Sequence, residues 1–392
     1  MKRLEIDPRR DWKHKAVAKN FNYLTEDGTE CWNENAVYEF SLEQIETLEN
    51  ATSDLHQMCL AIAQRIATNP EILDKMQIPR IFHSILAKVV QNDPLHLYGR
   101  FDLAYDGINP PKLLEYNADT PTGLYETGVW QWQWLEDQIE NGVIPQSSDQ
   151  FNSVHEKLID RWKSIVPSTN TIYFTCMQEF EEDRGTVLYL EDTAVQAGFN
   201  TKFIDIADIG LDNDGYLKSA YDLQGFEIKT LFKLYPWEWL AADAFSVKIP
   251  DMVLQWVEPI WKMILSNKAI LPLLWDVYPN HPNLLPAYFE GESEGKLGKR
   301  FIKKPFYSRE GANITLVDGD TVHTTDGVYG KEGYIVQAVA DIPIFYSMNQ
   351  QKHAIIGSWV IGDDPAGIII RESNNLVTDN LSQIVPHIIK DF

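Results

Sequence analysis

Two short stretches carry residues of the kind that hold a metal ion beside a phosphate. One is Arg100-Phe101-Asp102, and the other runs from Glu115 through Asn117 to Thr120. In each, polar residues sit two apart, and side chains two apart on a strand share a face. Between them, Asp106-Gly107-Ile108-Asn109-Pro110-Pro111 is rich in turn formers. A hairpin here brings Arg100, Asp102, Glu115 and Asn117 onto one surface. Two carboxylates and an amide oxygen are hard ligands suited to Mg²⁺, with positions left for phosphate oxygens and water. An arginine beside them can offset charge on a phosphoryl group in transfer. Taken alone, the same residues also fit a solvated edge hairpin with one polar face, the weaker of the two readings.

Phe301-Ile302-Lys303-Lys304-Pro305 reads as a strand that delivers a lysine, followed by a small loop, Ser308 to Ile314, that contains Gly311. Such a lysine can grip α- and β-phosphates while loop N–H groups cover the rest. Strand alternation points only one of the two lysines at the nucleotide, and Lys304 is the choice. Gly333 to Ala340 is a strand running into a hinge, where Gln337, Ala338 and Val339 offer backbone groups to an adenine edge. Arg371 ends the apolar run Ile368-Ile369-Ile370 and so needs an anionic partner, either a γ-phosphate or a structural carboxylate. Lys268 is a further candidate phosphate ligand.

The set resembles the ATP-grasp enzymes, in which a lysine strand, a glycine loop, an adenine hinge and an Asp…Glu-x-Asn metal set surround one ATP. Here the metal set precedes the lysine and hinge, the order of a circularly permuted member. Glu115-Tyr116-Asn117-Ala118-Asp119, with Asn280-His281-Pro282-Asn283-Leu284-Leu285-Pro286, resembles the synthetase half of glutathionylspermidine synthase and its stand-alone bacterial relatives. The likeness extends over nearly the whole chain. It implies an α/β fold with α+β lobes, ATP held between two lobes with Mg²⁺ (two ions), and an acid–amine ligase forming an amide through an acyl phosphate. The implied substrates are a small carboxylic acid, such as the glycine end of glutathione, and an amine, such as a polyamine. By position, the resemblance assigns Asp102, Glu115 and Asn117 to metal, and Arg100 and Arg371 to catalysis. It assigns Lys268, Lys304, Gly311, Gln337, Ala338 and Val339 to the nucleotide; Thr120, Glu181 and Glu182 are candidates for the substrate side that no motif of the family fixes. Nothing in the chain resembles the cysteine amidase of the bifunctional enzymes.

The elements that must position these residues are legible from periodicity. Ser41 to Thr68 reads as a helix with a Ser41/Gln44 capping box and an apolar stripe of Leu42, Ile45, Leu48, Leu55, Met58 and Ile62. Residues 81–90 are also helical in pattern. Leu97–Tyr105 and Lys112–Asn117 read as strands. From Thr171 the pattern is α/β: a strand at Ile172–Thr175, a helix at Thr186–Ala197 closed by Gly198, and a strand at Lys202–Ile204. A helix over Asn267–Trp275 follows, then strands at Arg300–Lys304, Gly333–Val339, Ser358–Ile361 and Gly367–Arg371. The expected lobes are 1–165, with helices and metal hairpin; 166–265, an α/β substrate lobe; and 266–392, for ATP.

Composition narrows the function class. Acidic residues number 57 against 34 basic ones, a net charge of −23. That sign disfavours a nucleic-acid partner and favours encounter with a cationic small molecule. No segment has the apolar length a bilayer needs, and the N-terminus, charged from the start, lacks a signal-peptide pattern, so a cytoplasmic location is expected. Cys31, Cys59 and Cys176 are scattered and read as buried thiols. Gly291-Glu292-Ser293-Glu294-Gly295 matches the G-x-S-x-G string of hydrolases but sits among charges, so it reads as an exposed loop. Trp130, Trp132 and Trp134 read as packing. Two other classes fit the same nucleotide site: a regulator that binds nucleotide without turnover, and a phosphotransferase with a hydroxyl acceptor.

Overall fold

The computed structural model describes residues 1–26, 28–91, 95–211, 219–347, 350–377 and 381–390. The first long element is helix α1 (Leu42–Ala67), and both halves of its capping box are present. Ile45, Leu48, Leu55, Met58 and Ile62 are buried along it, whereas Leu42, the first helical residue, lies exposed. Strands β1 (Tyr98–Ala104) and β2 (Lys112–Asn117) follow, joined by the expected turn. Helix α2 (Glu181–Gln196) starts five residues earlier than the apolar pattern indicates. Glu181, Glu182 and Asp183 occupy its first turn, where the helix dipole favours negative charge. Later come β3 (Arg300–Pro305), β4 (Tyr334–Ala338), β5 (Gln350–Ile361) and β6 (Asp364–Ser373). The two short strands expected near 358 and 367 are the turn-proximal halves of this longer β5–β6 hairpin.

Three sheets frame the site. The largest has six strands in the order Gln383–Val385, β6, β5, β1, β2, with Ile344–Ser347 paired to the start of β5. All of its pairings are antiparallel. It therefore joins strands more than 200 residues apart, with Ile356 opposite Leu103 and Trp359 opposite Arg100. A five-stranded antiparallel sheet holds Ala287–Phe289, β4, β3 and the hairpin Thr315–Asp318/Thr321–Thr324. A four-stranded parallel sheet, Gln255–Val257, Thr230–Leu234, Ile172–Cys176 and Thr201–Phe203, carries α2 on its side, as the α/β pattern from Thr171 indicates.

Alternation along β1 decides which side faces the chemistry. Phe101 and Leu103 join the core with α1, Tyr116, Ile356 and Ile370. Arg100 and Asp102 therefore face the other way. Gly357 lies opposite Asp102 in the register. A Cβ there would come within 2.8 Å of the Arg100 side chain, so the glycine makes room for the guanidinium. Trp130 and Trp134 are buried as packing residues, while Trp132 on the same helix is exposed. Gly291–Gly295 is a loop, with Gly291 and Gly295 at positive φ. Cys59 and Cys176 are buried free thiols, and Cys31 is half-buried. No described helix is long and apolar enough to cross a membrane.

Candidate active site

Register places the four polar residues of the hairpin in two facing pairs, Arg100 opposite Asn117 and Asp102 opposite Glu115. Arg100 gives Nε to Asp102 Oδ1 at 2.7 Å and Nη2 to Oδ2 at 3.1 Å, and its Nη1 reaches Thr122 O at 2.6 Å. Asn117 Nδ2 donates to Asp102 Oδ2 and to Glu115 Oε1, both at 3.2 Å. Lys268 lies 3.1 Å from Glu115 Oε2 and donates to Ser308 O at 2.6 Å. Arg371, on the neighbouring β6, comes within 3.8 Å of Asp102 Oδ2. Lys304 is buried and gives its ammonium to Leu114 O at 2.9 Å. Lys303 turns away to Glu290 and lies over the Tyr334 ring at 4.0 Å, as alternation requires.

The charge balance follows from burial and pairing. Burial works against ionisation of Glu115, but Lys268 and Lys304 outweigh it and hold its pKa down at about 2. Burial lowers Lys304 to about 8, partly offset by Glu115. Glu115 is thus ionised, and its oxygens and those of Asp102 meet the N–H groups of Asn117, Lys268 and Arg100. That is the donor set of a divalent hard-cation site. A half-turn of the Asn117 amide presents Oδ1 instead of Nδ2 and completes an all-oxygen set. Asp102, Glu115 and Asn117 therefore fit Mg²⁺.

A cleft opens from this cluster between the six-stranded and five-stranded sheets. It is lined by the polar Asp102, Glu115, Lys304 and Arg371 and by the apolar Ile302, Ile314, Val339 and Ile355 among others. Gly311, Gln337 and Ala338 line it as well. The Gln337 side chain is committed elsewhere, donating to Leu113 O at 3.1 Å and bracing β4 against β2. The Ala338 N–H is given to Pro286 O at 2.8 Å. Val339, just past the end of β4, lines the same cleft.

A second recess of about 320 Å³ adjoins the cluster and is lined by Asn117, Thr120, Lys268 and Ser308 with Glu238 and Arg309. Arg309 bridges it, giving Nη1 to Thr120 Oγ1 at 2.8 Å and Nη2 to Glu238 Oε1 at 3.0 Å. Sequence reading placed Arg309 in the loop without a role, because one arginine in a loop carries no signal of its partners. Glu310 and Asn313 of that loop adopt positive φ, 55° and 54°, which costs energy for residues other than glycine. Asn313 is pinned by accepting from the Tyr329 N–H at 2.7 Å.

The acidic run divides. Glu181 is exposed on the outer side of α2. Glu182 turns inward, where burial pushes its carboxyl up while Thr122, Arg371 and Arg100 pull it down. Burial and the neighbouring Glu182 raise Asp183 to about 7 and Glu126 to about 8. Glu126 has no sequence signature, since its relation to Glu182 exists only in the fold.

Residues 3–390 match the family model described as glutathionylspermidine synthase preATP-grasp. A proposed acid–amine ligase of Haemophilus influenzae is 40% identical, over 94% of this chain and 93% of its own length. The trypanothione synthetase of Crithidia fasciculata is 28% identical over 83% of this chain, and the bifunctional glutathionylspermidine synthetase/amidase of Escherichia coli is 27% identical over 87%. These two matches span only 52% and 57% of the longer relatives. A glutathione synthetase-like effector from Globodera pallida superposes with a TM-score of 0.57 at 10% identity, covering 98% of each chain, which is a likeness of fold. The chain belongs to the glutathionylspermidine synthase preATP-grasp family.

Proposed function

We propose that this protein is an ATP- and Mg²⁺-dependent ligase that joins a carboxylic acid to an amine, and that ATP lies in the cleft between the two antiparallel sheets. The carrying observation is the meeting of Asp102, Glu115 and Asn117 with Arg100, Lys268, Lys304 and Arg371 beside a cleft that also has an apolar lining. The apolar lining suits adenine beside Val339, and the cationic cluster suits the phosphates. The motif order along the chain supports a circularly permuted ATP-grasp arrangement. Mg²⁺, as one or two ions on the two carboxylates and the amide, would neutralise the triphosphate and polarise its γ-phosphoryl group.

The chain's own side chains account for the rest. The substrate carboxylate attacks the γ-phosphorus, and ADP leaves. Arg100 and Arg371 stabilise charge on the phosphoryl oxygens, while Lys268 and Lys304 hold the phosphates in line. The amine then attacks the acyl carbon, loses a proton, and inorganic phosphate leaves. The loop Ser308–Asn313 borders both recesses, so it serves as a lid that keeps water from the acyl phosphate. Thr120 and Arg309 face the smaller recess, which suits the incoming acid. The inward-facing Glu182 suits a cationic amine. A peptide carboxylate and a polyamine are the substrate classes this reading favours, in line with the names of the relatives.

The test is a mass-spectrometric screen of acid–amine pairs with ATP and Mg²⁺, read together with ADP and phosphate release. A ligase releases both products only when acid and amine are present together. Phosphoryl transfer to a hydroxyl, or nucleotide binding with no turnover for any pair, would displace this reading.

A further inference from the structure

Across the six-stranded sheet from the cleft, three segments bring two histidines and an aspartate together. His56 comes from the middle of α1, His96 from the segment entering β1, and Asp363 from the β5–β6 turn. His56 Nε2 lies 3.1 Å and His96 Nε2 3.3 Å from the same oxygen, Asp363 Oδ1. The three ligand atoms all fall within 4.8 Å of one another. Both imidazoles are buried, at 0% and 2% exposure, while the Asp363 side chain is about half exposed.

Those spacings have a chemical meaning. Ligands at about 2.0–2.1 Å around a tetrahedral zinc ion stand about 3.3 Å apart along each edge. The two N···O separations, which are also hydrogen-bond distances, are close to that edge, and all three atoms stay within 4.8 Å of one another. Behind the first ring, Tyr116 Oη is 3.4 Å from His56 Nδ1 and fixes its orientation, the outer contact that metal-bound histidines use. Among the described residues His96 Nδ1 has no hydrogen-bond partner, and the ring's contact is through Nε2 to Asp363. The turn that supplies Asp363 is specified by Gly362, which has φ +60° and whose Cβ would lie 2.9 Å from Arg161 Nε.

We propose that His56, His96 and Asp363 form a three-residue site for a divalent transition-metal ion of the zinc type, with its fourth position open to water. The nearby charges are mixed. Lys262 is held by Glu258 at 3.3 Å and by two carbonyls, and Arg161 donates to His96 O at 2.7 Å. Their positive field opposes any cation, so binding depends on the imidazole nitrogens, which favour zinc, nickel or cobalt over magnesium. Asp102, Glu115 and Asn117 have the reverse preference. The ion would tie α1 and the β5–β6 turn to the root of β1, the strand that carries Arg100 and Asp102 to the cleft.

The experiment is calorimetric titration of Zn²⁺ into the full, untagged protein in excess Mg²⁺, with Co²⁺ visible spectra as a geometric readout. One equivalent of Zn²⁺ is expected, with the absorption of a four-coordinate Co²⁺ site and a rise in Tm. His96→Gln and Asp363→Asn should each weaken Zn²⁺ binding at least ten-fold, whereas Glu115→Gln should leave it unchanged. Asp363 lies in an exposed turn, so Asp363→Asn isolates ligand loss from folding, as its metal-free Tm will verify. Absence of binding by the unaltered protein, or an equivalent retained by both ligand variants, would overturn the site.

Discussion

Arg100 and Asp102 stand two residues apart on one face of β1, joined by two hydrogen bonds of 2.7 and 3.1 Å. Asp102 thus has two duties, as a candidate metal ligand and as the residue that orients the guanidinium. Removing either disables both. Arg100→Ala and Asp102→Ala should each lower kcat by at least about 100-fold, the scale of a lost charge-stabilising group. The double variant should fall by little more than the worse single one. Multiplicative losses in steady-state kinetics would show that the two act independently. Glu115→Ala and Asn117→Ala should likewise abolish Mg²⁺-dependent turnover without lowering Tm.

Lys304 and Lys303 are neighbours with opposite environments, one facing the cleft and one paired with Glu290 outside it. Lys304→Ala should weaken ATP binding about ten-fold or more, while Lys303→Ala should change it by less than about two-fold. Calorimetry with both variants decides the matter. Equal losses would mean that β3 does not present Lys304 to nucleotide.

The low pKa of Lys304 predicts a pH dependence. Burial lowers it to about 8, so the ammonium is charged below that pH and neutral above it. Triphosphate favours the charged form, so binding above about pH 8 requires proton uptake. Affinity should therefore decline as pH rises, approaching about ten-fold per pH unit until the pKa of the complex is reached. Lys304→Arg, which keeps its charge throughout, should flatten this limb. A wild-type affinity constant from about pH 7 to about pH 9.5 would contradict the assignment.

Glu126 offers a test of stability. Burial raises its carboxyl to about 8, above its ordinary value. A carboxyl raised by folding contributes stability at low pH and loses it as pH climbs through the folded-state pKa. Thermal unfolding should show Glu126→Gln gaining Tm relative to wild type between about pH 5 and about pH 8, with the gap widening as pH rises. A gap that narrows over this range would show that Glu126 is ionised and satisfied in the fold.

Glu181 and Glu182 are separated by the turn of α2. Glu182→Gln should raise the KM of a cationic amine more than that of ATP, and Glu181→Gln should do so less. Raising ionic strength to physiological levels shortens the Debye length to about 8 Å. With the chain at a net −23, that should lower kcat/KM for a polyamine and leave a neutral amine nearly unchanged. Equal KM effects at 181 and 182, or preference for an anionic amine, would remove the acidic amine pocket.

By itself, the sequence determined local matters. Periodicity marked α1, the turn residues marked the β1–β2 hairpin, and two-residue spacing put Arg100 with Asp102 and Glu115 with Asn117. Alternation separated Lys304 from Lys303. These follow from interactions within a few residues, which composition and spacing encode directly. The start of α2 was less legible, because acids in a first turn lengthen a helix without adding apolar period. What only the tertiary structure decided was long-range. The pairing of β1 with β5 carries Arg371, on the adjacent β6, to Asp102 across 269 residues of chain. The same folding buries Glu126 near Glu182, sets Arg309 between Thr120 and Glu238, and gathers His56, His96 and Asp363. Strand exchange between distant segments depends on which surfaces pack best once they meet, and a single histidine or arginine gives no sign of the partner it will meet.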